Sequence, residues 1–161
     1  MRGFLRILGA LTLTALVAGG IGVGVLVHRG SALDAQSKAY VDNAVPAITA
    51  GWSKQQLLSR AAPELRATLR PGQLSSLFAN LSRLGSLVRY EGATGGSNVS
   101  FVLGAGKTVT AAYVAKARFQ NGTADIRLAL VKEKGRWQID GFHVDIVSYQ
   151  PLAHGLRPQP A

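Results

Sequence analysis

Residues 107–148 contain three alternating runs of apolar and polar side chains, and this pattern constrains the fold more than any other feature. The runs are KTVTAAYVAKARFQ, TADIRLALVKEK and RWQIDGFHVDIVS, with Asn121-Gly122 after the first and a turn at Lys134-Gly135 after the second. Alternation is typical of strands with one buried face, because successive side chains point to opposite sides. Asn-Gly between two such runs predicts a type I′ turn, in which both residues take a positive φ. The stretch therefore predicts three antiparallel strands joined by hairpins.

In the last of these strands, the apolar side chains change from one face to the other in the middle of the strand. Before Asp140-Gly141 the apolar residues fall on one face, and after it they fall on the other. A one-residue bulge at this dipeptide would return all of them to the core side, and glycine suits such a backbone. The affected residues are Trp137, Ile139, Phe142, Val144 and Ile146.

Three helices are predicted before the strands. Residues 33–49 carry apolar side chains mostly three, four or seven positions apart, and Pro46 should kink or end this helix. Ser53 is placed to cap a second helix, with Gln56 completing a capping box. Residues 73–84 form the clearest helix, because one stripe is apolar and a glycine follows it. The stripe consists of Leu74, Leu77, Phe78, Leu81 and Leu84.

Two shorter strands, residues 87–93 and 98–103, are predicted between the helices and the long alternating stretch. The turn-rich residues 94–97 should join them. The whole pattern predicts an α+β domain over residues 31–150, with three helices packed on a bent antiparallel sheet of about four to five strands. Residues 151–161 are predicted to form a disordered tail.

Residues 7–27 carry no charge over 21 positions, which is long enough for a membrane-spanning helix. The arginines before this segment predict a cytoplasmic N terminus and a translocated C-terminal domain. Residues 1–30 are therefore predicted to be a membrane anchor or an uncleaved signal, and a cleaved signal peptide is the alternative. Gly20 and Gly24 could let two such helices pack closely as a homodimer, although small residues are common in these segments.

Composition excludes several classes of site. The chain has 161 residues and no cysteine, which rules out disulfides, thiolate metal ligands and a cysteine nucleophile. Its histidines lack the spacing of metal ligands, so neither a metal nor a cofactor is predicted. The residues 104–108 mimic the end of a phosphate-binding loop, but the preceding glycine and following helix of that motif are missing.

Two groups of polar residues in the predicted sheet are candidates for function. Lys116, Arg118 and Arg127 fall on the polar side of neighbouring strands and could form a basic face for an acidic protein or a lipid headgroup. Nucleic acid is not expected, because the face lacks interleaved aromatic residues. His143 and Asp145 share one strand face and could exchange protons, but the predicted bulge turns both away from the core.

The order of elements, with Lys132 to Ile139 forming a Lys-x-x-Gly-x-Trp-x-Ile pattern in the last hairpin, resembles the cystatin-like α+β roll of the NTF2-like superfamily. It also resembles anchored bacterial domains of unknown function with such a roll. The resemblance covers residues 33–148 and implies a cone-shaped interior, which in enzymatic members holds a carboxylate or a His-Asp pair. Here Tyr113, Trp137 and Phe142 are the candidates to line a pocket, with packing in a filled core as the alternative. No catalytic pair is identified.

These features predict a single-pass protein of the bacterial inner membrane whose periplasmic domain is not an enzyme and binds a protein partner in the cell envelope. Two alternatives are open. One is a small-ligand-binding or isomerase/hydrolase-like protein that uses the cavity of the roll. The other is an assembly component of a secretion system, because anchored NTF2-like domains also serve as assembly subunits.

Overall fold

A computed structural model describes residues 31–102 and 106–150, so the predicted anchor and the predicted tail lie outside the described residues. The helices are α1 (Ser31–Thr49), α2 (Lys54–Arg60), α3 (Pro63–Thr68) and α4 (Pro71–Leu81), and a 3₁₀ turn spans Ser82–Leu84. The strands are β1 (Leu87–Val102), β2 (Gly106–Phe119), β3 (Gly122–Glu133) and β4 (Arg136–Tyr149). Within these two ranges, no helix combines the length and the apolar character needed to cross a membrane. The α+β class with helices and an antiparallel sheet is confirmed.

The sheet has the order β1-β2-β3-β4, and every strand pairs antiparallel with its neighbours in the chain. The β3–β4 turn lies at Lys134 and Gly135, whose φ values of 48° and 79° are the positive values that a tight hairpin requires. The predicted second hairpin is therefore confirmed.

The β2–β3 turn differs from the prediction. Phe119 pairs with Gly122, so the connecting residues are 120 and 121, and neither has a positive φ. The type I′ turn predicted at Asn121-Gly122 was wrong. Gly122 meets a different need, because a Cβ there would lie 2.1 Å from the carbonyl oxygen of Ser148 in β4.

β1 is one strand of 16 residues, whereas two strands with a turn between them were predicted. Residues 94–97 pair in register with residues 111–114 of β2. At Gly95 a Cβ would lie 2.0 Å from the carbonyl oxygen of Ala112, so the glycine permits close approach of two strands rather than a turn. Val88 and Glu91 are extra residues in the pairing, and such bulges bend a strand. The sheet of the described residues therefore has four strands, where about four to five were predicted.

Within residues 31–102 and 106–150 there are four helices before the sheet instead of the predicted three, because Pro63 begins a short helix of its own. α1 continues through Pro46 and ends one turn later. At the start of α2, Ser53 Oγ accepts a hydrogen bond from the Gln56 N–H, as predicted for an N-cap. The side chain of Gln56 instead accepts a hydrogen bond from Arg60, so only half of the capping box forms.

The predicted bulge in β4 is confirmed at Asp140. Ala129 pairs with Gly141 and Leu130 pairs with Ile139, which leaves Asp140 as the extra residue. Three of the five apolar side chains of the strand are buried and Val144 is partly buried against the core. Ile146 is 40% exposed, so its predicted burial was wrong. The three buried side chains are Trp137, Ile139 and Phe142.

Candidate interaction surfaces

The three residues predicted to line a pocket all lie in the core. Tyr113 is 3% exposed, Phe142 is 7% exposed and Trp137 is 9% exposed. The Tyr113 hydroxyl donates to the carbonyl oxygen of Asp34 at 3.1 Å and lies 2.9 Å from Ser37 Oγ. Its polar group is therefore already bonded within the domain and is not presented to a cavity.

Aromatic rings fill the space between the helices and the sheet. Phe142 packs against Phe78 of α4 with ring centroids 6.5 Å apart, and Trp52 stacks on Phe119 at 5.0 Å. Lys132 Nζ lies 5.4 Å from the centre of the Trp137 ring and covers that end of the core. These contacts are those of a packed interior, in which side chains touch one another rather than enclose a ligand.

The predicted basic face lies on the outer side of the sheet, and carboxylates accompany its cations. Arg118 Nη2 is 3.6 Å from Glu91 Oε1, and Arg127 Nε is 2.9 Å from Asp145 Oδ2. The Lys116 position pairs directly with that of Asp125 on the adjacent strand. The three predicted residues therefore share a face, but opposite charges on the same face offset their field.

His143 and Asp145 also lie on this outer face. His143 Nε2 is 2.8 Å from Asp145 Oδ1, while the other carboxylate oxygen faces Arg127. Both side chains are partly exposed, at 29% and 38%. Neither residue lines the two surface grooves described next. The ion pair between Arg127 and Asp145 ties β3 to β4.

A small groove of about 240 Å³ lies where the Glu91 bulge opens β1 beside α1. Next to it, Asp42 accepts hydrogen bonds from Lys38 Nζ at 2.6 Å and from the Tyr90 hydroxyl at 2.7 Å. Burial alone would raise the pKa of Asp42, but these two hydrogen bonds and the lysine charge lower it overall. Burial and then the Asp42 carboxylate raise the pKa of Tyr90. This cluster holds α1 on β1.

A larger groove of about 590 Å³ lies on the helical side, between α2 and α3. Its lining contains two cations, two polar side chains and Leu58, which is 37% exposed. Sequence reasoning missed this site, because its residues come from two short helices that no single periodicity links. The lining residues are Lys54, Gln55, Leu58, Ser59 and Arg66.

The end of β4 carries an exposed apolar surface. Ile146 is 40% exposed, Val147 is 64% exposed and Tyr149 is 49% exposed. β4 is an edge strand whose outer side is bonded at Ile139, where the Ala62 N–H donates to its carbonyl oxygen at 2.8 Å. Among the described residues, no such bond follows along 142–149 on that side. Exposed apolar side chains on an open edge are a template for another strand.

Comparisons with protein-family models, with curated proteins and with solved structures find no match. The candidate surfaces are therefore the grooves, the charged face and the apolar end of β4, and their chemistry is argued from this chain alone.

Proposed function

We propose that this chain is a membrane-anchored, extracytoplasmic interaction domain without catalytic activity, and that the end of β4 is its docking surface. The observation that carries the proposal is the exposed run from Ile146 to Tyr149 on an edge strand. The partner is an extended segment of another envelope protein, which adds to β4 through backbone hydrogen bonds and covers the apolar side chains.

The packed interior supports binding at the surface over binding inside the roll. A ligand-binding or isomerase/hydrolase-like protein of the NTF2-like type needs a hollow interior with an inward polar group. Here Tyr113, Trp137 and Phe142 are buried in one core cluster, and the Tyr113 hydroxyl is bonded to groups of α1. This alternative gains no support from the described residues.

The membrane and periplasmic parts of the proposal rest on the charge-free segment 7–27 and on the arginines before it. A secretion-system assembly component is a second form of the same proposal, and it predicts self-association through the anchor. Replacing Gly20 and Gly24 with leucine should abolish such association, because the larger side chains keep two helix backbones apart. Unchanged association of the isolated anchor segment would contradict this form.

The docking surface can be tested with a photoreactive residue in the full chain, expressed in bacterial membranes. At position 147 we expect a discrete adduct of higher mass. Val147 is an extra residue in the β3–β4 pairing, between Ile146 and Ser148. Val88 supplies the matched control, because it is also an extra residue and is 61% exposed, but it lies on the opposite edge strand. An adduct of twice the mass of the chain would identify a second copy as the partner. No adduct, a cross-link within the chain, or equal adducts at both positions would contradict the proposal.

A further inference from the structure

The helical side of the domain concentrates cations that form no ion pair with the carboxylates of the described residues. The segment 54–83 contains five basic residues and a single acidic one, Glu64. Among the ion pairs of the described residues, none involves these five cations. This differs from the outer sheet face, where Arg118 and Arg127 have carboxylate partners. The five basic residues are Lys54, Arg60, Arg66, Arg70 and Arg83.

The groove between α2 and α3 lies within this positive region, and its walls are fixed by the core. Leu57 and Leu65 are 2% and 3% exposed, so each helix is anchored from beneath. The link between the helices is held to β4 by the parallel bridge from Ala61 to Ile139. A groove on anchored walls binds without first having to be ordered, which lowers the entropic cost of binding.

The lining combines charge with an apolar centre. Lys54 and Arg66 contribute the two cations, and Leu58 contributes exposed apolar surface. The Gln55 amide can donate hydrogen bonds to carbonyl or carboxylate oxygens, whereas the Ser59 hydroxyl donates to the carbonyl oxygen of Gln56 at 3.1 Å. Such a lining complements an anionic ligand that also carries an apolar side chain.

We propose that this groove binds an acidic, extended peptide segment of a partner protein. Carboxylates of the segment contact Lys54 and Arg66, and an apolar side chain of the segment packs on Leu58. This site is separate from the end of β4, so it adds a second contact to the proposed interaction domain.

The lining of the groove favours a peptide over a lipid headgroup. Leu58 is 37% exposed in the same lining as the two cations. A segment with acidic and apolar side chains supplies a partner for both, whereas a phospholipid headgroup supplies only charge.

The test uses the full chain in nonionic detergent and the fluorescein-labelled peptide GEELEELEEG. We expect saturable binding by fluorescence anisotropy that weakens as the salt concentration rises from about 0.05 M to about 0.5 M, because screening shortens the reach of exposed charges. The double variant Lys54→Glu/Arg66→Glu should bind about tenfold more weakly, and Leu58→Ser should bind a few-fold more weakly with an unchanged salt dependence.

Two control variants separate the groove from other surfaces. Lys116→Glu/Arg118→Glu makes the same change of charge on the outer sheet face and should leave the affinity within about twofold. Val147→Lys should also leave the affinity for the peptide unchanged. The proposal for the groove and the proposal for the β4 surface are therefore tested separately. Urea unfolding of each variant checks that the fold persists.

Several outcomes would overturn the inference. These are absence of peptide binding, equal losses in the groove and sheet variants, or equal binding of a peptide in which every glutamate is replaced by glutamine. Binding to vesicles of anionic phospholipid that the groove variant loses, without peptide binding, would assign the groove to a lipid surface instead.

Discussion

The close contact at Gly95 gives a sharp test of how β1 is built. In Gly95→Ala the new Cβ would lie 2.0 Å from the Ala112 carbonyl oxygen and 2.8 Å from Cα of Tyr113. These are backbone atoms of the paired strand, so a rotamer change cannot relieve the overlap. β1 must move away from β2 by about 1.4 Å before the 2.0 Å separation becomes an ordinary contact.

Such a displacement opens the β1–β2 ladder around the substituted residue. Loss of about two backbone hydrogen bonds at about 1 kcal/mol each, with disturbed packing of the buried Tyr113 ring, amounts to about 3–4 kcal/mol. Alanine also lowers the conformational entropy of the unfolded chain, which favours the folded state by about 0.4–1 kcal/mol. We therefore expect Gly95→Ala to lower the free energy of unfolding by about 2–3 kcal/mol.

The neighbouring glycine is the matched control. At Gly96 a Cβ would lie 3.4 Å from Asp34 Oδ1, an ordinary contact, so Gly96→Ala should change stability by less than about 1 kcal/mol. Urea unfolding of the full chain in nonionic detergent, followed by fluorescence of the buried Trp52 and Trp137, measures both variants. Equal stabilities would refute the reasoning, because they would mean that residues 94–97 form an open turn rather than a paired strand.

Three further changes test single contacts by the same unfolding measurement. Tyr113→Phe should cost about 1–2 kcal/mol, because it removes a buried hydroxyl bonded beside Ser37, and no loss would contradict that role. Asp140→Asn should stabilise the domain at neutral pH but not in acid. Burial and then Glu64 raise the pKa of Asp140, so the folded state prefers the protonated carboxyl and loses stability as the pH rises through that pKa. A gain in stability that does not depend on pH would contradict this. Asp42→Asn should destabilise the domain at neutral pH. The pKa of Asp42 is lowered in the folded state, so its carboxylate contributes stability at pH values above the ordinary pKa, and this contribution is lost as the pH falls through the folded-state pKa. An unchanged dependence of stability on acid pH would contradict this.

The sequence predicts this fold well where one physical cause governs a residue. The parity change around Asp140 has one economical explanation, a bulge, and the structure contains it. Likewise, Leu74, Phe78 and Leu81 of α4 are buried because their spacing puts them on the one face that meets the core. Gly95 and Gly122 were misjudged because a glycine can serve a positive φ, a close backbone approach or both. Gly122 serves the close approach, and Gly95, with a φ of 157°, serves both.

The candidate surfaces were harder to predict because they depend on neighbours distant in sequence. Arg127 looks like a free cation until β4 places Asp145 beside it. Lys54 and Arg66 look like scattered charges until α2 and α3 form a common groove. Charge in a sequence can be counted directly, but compensation of charge depends on tertiary contacts.

The order of the strands also determines how the sheet can assemble. Each strand pairs with the one before it, and the two later hairpins have two-residue turns, so the sheet can grow one hairpin at a time from β1. Contacts between neighbours in the chain close short loops, which favours rapid folding. In growth of this kind β4 is the last strand added, and β3 presents the open edge until β4 pairs with it. Pairing of β4 therefore moves the open edge of the sheet from β3, which becomes an interior strand, to β4, the strand that carries Val147.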